Sequence, residues 1–253
     1  MKKDYREIRS EKGHIIRIYK KGIPLNEIIS GVRDGEKKSD DDEQLDSTIS
    51  KVMSSNYEFS KLVEINDKYE ILENKPLQLV VKKFKEAKEA NRCLRIFNNL
   101  QQEKCTLPPI VARAKEENAI VLSYFGEEGE DFVDPVSLRV GEKLPFTDKE
   151  TYKKLGAEVR KYHQAGYVNE HEQWGICFFM KKGRTGIPIV VDVDNLKKCA
   201  KRGKEKKCAK EIIDIFYRID VSMHDIFLNE YSKKNSEFEK IKRIIDRTLI
   251  IPF

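Results

Sequence analysis

The sequence predicts an α+β fold, and three observations predict it. Short apolar runs bounded by Asn, Asp and Pro recur from Tyr57 to Phe84 and again from Ile110 to Phe125, the pattern of an antiparallel meander. One amphipathic helical period, Ala87 to Leu100, lies between the two groups. Beyond Thr147 the pattern is mainly helical, interrupted by one hairpin.

Taken in order, the chain opens with strand-like content at His14–Tyr19 and possible helical turns at Leu25–Val32. Gly35–Ser50 has almost no apolar content and an acidic cluster at Asp40–Glu43, the composition of a solvated linker. Strands are expected at Phe59–Ile65, Tyr69–Leu72 and Leu77–Phe84. The helix that follows carries Ala90, Leu94, Phe97 and Leu100 on one face and stops before Pro108-Pro109. Ile110–Ala114 and Ala119–Phe125 read as two further strands around a polar turn. Thr147 and Glu150 form a capping-box pattern, Tyr152, Leu155, Val159 and Tyr162 follow at helical spacing, and Gly166 suits the left-handed position after the last turn. Ile176–Met180 and Ile187–Val193 read as a hairpin ending in Asp192-Val193-Asp194-Asn195. Ala209–Ile219 and Phe238–Leu249 close the chain as helices. The expected division is 1–50 as an N-terminal extension with the acidic linker, 51–126 as a small lobe and 127–253 as a reduced helical lobe.

A length of 253 residues suits one domain of two lobes or two small domains. No apolar run approaches the ~20 residues that span a bilayer, and the first residues lack a signal peptide's apolar stretch, so a cytoplasmic protein, or an effector acting in a host cytosol, is expected. Five cysteines without a CxxC pair argue against a disulfide framework. The net charge is +6, and eight basic side chains with a single acid fall between Lys197 and Lys210. Lys197, Lys198, Lys201, Arg202, Lys204, Lys206 and Lys207 therefore mark a local anion site, better suited to a compact polyanion such as an inositol polyphosphate than to a long nucleic acid. A zinc site built from His171, Cys177, Cys199 and Cys208 has no matching spacing. Cys177 lies in an apolar strand, where an inert thiol is usual rather than a nucleophile paired with His171.

The order of elements and several motifs resemble the protein-kinase-like superfamily. Leu79-Val80-Val81-Lys82-Lys83-Phe84 looks like the strand whose lysine contacts ATP phosphates, which would make Lys82 that lysine. The resemblance pairs it with a helix glutamate, Glu89 rather than Glu86. Ala119–Gly126 looks like the last small-lobe strand and hinge, where backbone groups near Ser123, Tyr124 and Phe125 would bind adenine. His163-Gln164-Ala165-Gly166 resembles the H-x-x-G that precedes the catalytic loop, and Val190-Val191-Asp192 resembles the strand end whose aspartate binds magnesium or manganese, with Asp194 as a second acid.

The chain departs from the family pattern at three places. His171 stands where the catalytic aspartate would be, so His171 or its neighbours Glu170 and Glu172 are the candidate bases. Gly175 and Ile176 occupy the place of the metal-binding asparagine. Ser54–Leu62 offers no glycine-rich phosphate loop. Only 58 residues follow Asn195, and in this short large lobe the chain looks like the compact kinases found among bacterial effectors and other atypical branches. The resemblance implies an ATP- and magnesium-dependent phosphotransferase acting on a protein hydroxyl, or a pseudokinase that keeps the fold as a nucleotide- or polyanion-regulated interaction module.

Overall fold

The computed structural model describes residues 5–9, 15–19, 61–65, 68–74, 79–108, 110–116, 118–123, 132–133, 141–169, 177–182, 185–191 and 193–249. They fall into two compact units, one of Met1–Arg92 with Pro108–Glu128, the other of Cys93–Leu107 with Gly129–Phe253.

The first unit is a seven-stranded antiparallel sheet. Its strands are β1 (Tyr5–Arg9), β2 (Ile15–Tyr19), β3 (Lys61–Ile65), β4 (Tyr69–Asn74), β5 (Leu79–Phe84), β6 (Ile110–Ala114) and β7 (Ala119–Ser123), in spatial order β1-β2-β6-β7-β5-β4-β3. Period-two alternation sends Leu79 and Val81 of β5 to one face, where they meet Ile16, Leu72, Val111, Ala112, Ala114, Ala119 and Val121 in one apolar cluster. Lys82 and Phe84 therefore take the other face. β1 and β2, which the sequence reading set apart in an N-terminal extension, are strands of this same sheet, because Ile16, Arg17 and Ile18 pair with Ala114, Arg113 and Ala112 of β6. Arg17 lies opposite Arg113, and the like charges are drawn apart: Arg17 bonds Glu7 at 3.1 Å and Arg113 bonds Asn91 at 2.6 Å.

Helix α1 (Ala87–Gln102) begins in the first unit and ends in the second. The second unit adds β8 (Phe132–Val133), α2 (Lys149–Gln164), β9 (Tyr167–Asn169), β10 (Cys177–Lys182), β11 (Thr185–Val190), β12 (Leu196–Lys198), α3 (Lys204–Phe216), α4 (His224–Ser232) and α5 (Phe238–Leu249). Its strands form one sheet in the order β11-β10-β8 and a pair β12-β9.

Helix α2 is the centre of this unit, with Tyr152, Leu155, Val159 and Tyr162 fully buried. It is capped by Asp148 and not by the expected Thr147: the Asp148 carboxylate accepts from Thr151 N at 2.8 Å and from Thr151 Oγ1 at 2.6 Å. A carboxylate at this position also meets the positive end of the helix dipole, which a threonine hydroxyl cannot do. The helix ends as expected, at Gly166 with φ +86°. Strand β11 stops at Val190, three residues sooner than its apolar content suggested, and Val193–Asn195 forms a 3-10 turn. Helix α4 was not anticipated, and α3 starts at Lys204, within the basic segment. Among the described residues no helix is long and apolar enough to cross a membrane.

Candidate functional site

In the first unit the candidate residues gather around β5. Lys82 sits on a strand flanked on both sides, by β4 and β7, and is 5% exposed. The register sets Tyr69 opposite Phe84 on the same face, and the Lys82 ammonium lies 3.8 Å from the Tyr69 ring centroid and 5.8 Å from that of Phe84. Both rings present their electron-rich faces to the cation. Lys83, on the opposite face, is half-buried. Glu89 lies in the first turn of α1, half-buried, with its carboxylate 3.4 Å from Arg92. Glu86 is exposed and its carbonyl accepts from Glu89 N and Ala90 N, so it starts the helix. Ser123 ends β7 opposite Leu79. Tyr124 and Phe125 lie outside the described residues.

In the second unit Asp194 is buried, in the 3-10 turn after β11. Because β11 has already ended, Asp194 does not stand on a strand face, as a continuing strand would have placed it. Asp192, Glu170, His171 and Glu172 lie outside the described residues, as do Trp174 and Gly175. Asp194 brings the hard oxygen donor that magnesium or manganese takes, and the donor set of Asp192 and Asp194 fits such an ion in type. Among the described residues no three His, Cys, Asp or Glu side chains cluster as a metal centre.

The residues on either side of the undescribed 170–176 segment are held by groups that the motif reading did not assign. Glu211 of α3, 2% exposed, accepts from the Asn169 backbone N–H at 2.8 Å, from the Tyr162 hydroxyl at 2.5 Å and from His163 Nε2 at 2.9 Å. His163 Nδ1 meets the Tyr231 hydroxyl at 2.8 Å. Burial lowers the basicity of His163, but Tyr231, Cys208 and Glu211 raise it by more, so its pKa stands well above the ordinary histidine value. β9 is then paired to β12, Asn169 opposite Leu196, just after Asp194-Asn195.

A second buried carboxylate, Glu158 of α2, accepts from Thr106 N at 2.8 Å and Thr106 Oγ1 at 2.9 Å, and Thr106 O accepts from Val190 N at 2.9 Å. Both acids carried a signal in the sequence. Glu158 falls between Leu155 and Tyr162, and Glu211 between Cys208 and Ile215, at the spacing of core residues on their own helices.

The basic segment spreads over three settings. Lys197 and Lys198 are exposed on β12, Lys201 and Arg202 are exposed in the turn before α3, and Lys206 and Lys207 are exposed in its first turns. Lys204 is half-buried and pairs with Glu237 at 3.0 Å, while Glu205 pairs with Lys240 at 3.6 Å. The mutual repulsion expected of this segment is thus relieved in part by Glu237, whereas Lys240 of α5 takes up the segment's single acid.

No protein-family model and no curated protein matches the chain. Among solved structures, WaaP in complex with acyl carrier protein is similar over 96% of this chain and 97% of that one, with a TM-score of 0.51 and 14% identity. Choline kinase LicA from Streptococcus pneumoniae aligns over 81% of this chain and 92% of its own, with a TM-score of 0.44 and 10% identity, too distant to argue from. The whole-length likeness to WaaP concerns the fold alone.

Proposed function

From a protein-kinase-like α+β fold, we propose that this chain is an ATP-dependent phosphotransferase acting on a protein hydroxyl. The observation that carries the reading is Lys82. It is 5% exposed on a strand flanked on both sides, with its ammonium over the Tyr69 and Phe84 rings. A cation fixed in place on a rigid strand is what gripping the phosphates of ATP requires. In this reading Glu89 orients Lys82, and backbone groups at Ser123, Tyr124 and Phe125 hold adenine. Asp192 and Asp194 hold magnesium or manganese, which when bound spreads the charge of the transferring phosphoryl group. The acceptor hydroxyl attacks the γ-phosphorus, its proton passes to His171, Glu170 or Glu172, and the bond to the bridging oxygen breaks to leave ADP. Positioning and charge neutralisation dominate such a transfer, so a histidine in place of an aspartate is compatible with turnover.

A second reading, a pseudokinase that binds partners without turnover, is favoured by Gly175 and Ile176 at the place of a metal-binding asparagine. The exposed Lys198, Lys201, Arg202, Lys206 and Lys207 would then serve a compact polyanion or an acidic protein surface. WaaP was solved with acyl carrier protein, so a protein partner belongs to either reading.

The test is transfer of radiolabelled phosphate from ATP to a generic protein substrate with magnesium. Labelling by the wild type that disappears in a folded Asp192→Ala variant supports the enzyme. Metal-dependent nucleotide binding without labelling selects the pseudokinase, and no nucleotide binding at all rejects both.

A further inference from the structure

Among the described residues strand β11 is an edge strand, paired only with β10 in the sheet β11-β10-β8. Edge strands present backbone N–H groups that must find other partners. The register with β10 sets Thr185, Ile187 and Ile189 opposite Lys182, Met180 and Phe178, and the alternate residues Gly186, Pro188 and Val190 turn their N–H positions outward. Gly186 N donates to Thr151 Oγ1 at 2.7 Å, Pro188 has no N–H to satisfy, and Val190 N donates to Thr106 O at 2.9 Å. Thr106 is itself held by Glu158 through both its N–H and its hydroxyl. The outer edge of β11 is thus pinned at its first and last free donors, in both cases to α2, directly through Thr151 and by way of Thr106 through Glu158.

We propose that Glu158 is a positioning residue: through Thr106 it clamps the end of β11 and so fixes the turn Val193–Asn195 that carries Asp194. The ends of the clamp are buried, Glu158 at 4% exposed and Val190 fully so, while Thr106 between them is half-buried. Loss of a hydrogen-bonding partner at the buried ends is made good by solvent only in part. Lys161, paired with Glu158 at 2.5 Å, compensates the charge, so the carboxylate accepts from Thr106 without an unbalanced buried anion. A metal-binding acid such as Asp194, a few residues beyond such a clamp, would have its approach set by it, as outer groups orient ligands in metal sites generally.

The role of the clamped segment rests on the phosphotransferase reading, whereas the clamp itself does not, and the experiment separates them. Backbone hydrogen exchange is followed in the wild type, Glu158→Gln, Thr106→Val and Thr106→Ser. The clamp predicts exchange of the Val190 amide and of 193–195 faster by about tenfold in Glu158→Gln and Thr106→Val, with Thr106→Ser, which keeps the hydroxyl, like the wild type. Unchanged exchange at Val190, or equal acceleration across all of 141–249, overturns it. In parallel, the magnesium concentration for half-maximal nucleotide binding is expected to rise about tenfold in the two disrupting variants and not in Thr106→Ser. An unchanged magnesium requirement refutes the positioning role. A wild type with no magnesium-dependent nucleotide binding refutes the functional reading, while the exchange result still decides the clamp.

Discussion

Glu211 receives a histidine, a tyrosine and a backbone N–H in a space nearly closed to water. With both ring nitrogens protonated, His163 donates to Glu211 on one side and to the Tyr231 oxygen on the other, a fully satisfied charged pair. Burial opposes that charge, and Tyr231, Cys208 and Glu211 outweigh it, so the folded-state pKa is raised. A group raised on folding contributes stability fully present below its unfolded value, about pH 6.5, and lost as pH rises through the folded value. The wild type is therefore expected to lose thermal stability as pH is raised above neutrality, and His163→Gln to lose less. Melting curves across that range check it, and parallel losses in the two proteins contradict it. Nearby, burial pushes the Cys105 thiol up to about 12, with the Glu158 charge adding to the effect. Cys105 should resist alkylation in the native protein at neutral pH, as read by mass spectrometry of the labelled cysteines, whereas modification at the rate of a free thiol would contradict the buried setting.

At the scale of elements, α2 offers two sharp contrasts. Asp148→Ala should cost about 1 kcal/mol of stability and Thr147→Ala far less, since only Asp148 caps the helix. Gly156 would by propensity gain up to about 1 kcal/mol as alanine, but a Cβ there would lie 2.5 Å from the Phe227 carbonyl oxygen of α4. Backbone cannot yield as a side chain can, so overpacking of roughly 1–3 kcal/mol wins and Gly156→Ala destabilises. Chemical denaturation measures both, and a stabilised Gly156→Ala would mean that α2 and α4 do not approach so closely. Helices α1 and α5 and strand β6 were legible in the sequence because their periodicity is local: Phe238–Leu249 and Ile110–Ala114 fall on the expected residues. The joining of β1 and β2 to β6 was not legible, since pairing across about a hundred residues leaves no local pattern. Strand β11 ended early for a related reason: Val191 and Val193 have strand-like side chains, but the backbone turns after the clamp at Val190.

For the molecule as a whole, the α+β architecture and a strand through Lys82 were readable from alternation and apolar runs, whereas the place of that strand between β4 and β7 was not, and the choice of Lys82 came from the family resemblance. The buried acids Glu158 and Glu211 fall at core spacing on their helices, but what they hold was not legible, because Thr106, Tyr162, His163 and Asn169 are each distant in sequence from the acid they meet. Function turns on whether this fold grips a nucleotide through Lys82. The most direct measurement is calorimetric titration of ATP with magnesium into the wild type, Lys82→Ala and Lys83→Ala. Lys82 is buried on the face it shares with Tyr69 and Phe84, and Lys83 lies half-buried on the other. The account predicts that ATP binds the wild type and Lys83→Ala alike and binds Lys82→Ala at least about tenfold more weakly. Equal affinity in all three proteins, or a loss confined to Lys83→Ala, would contradict it.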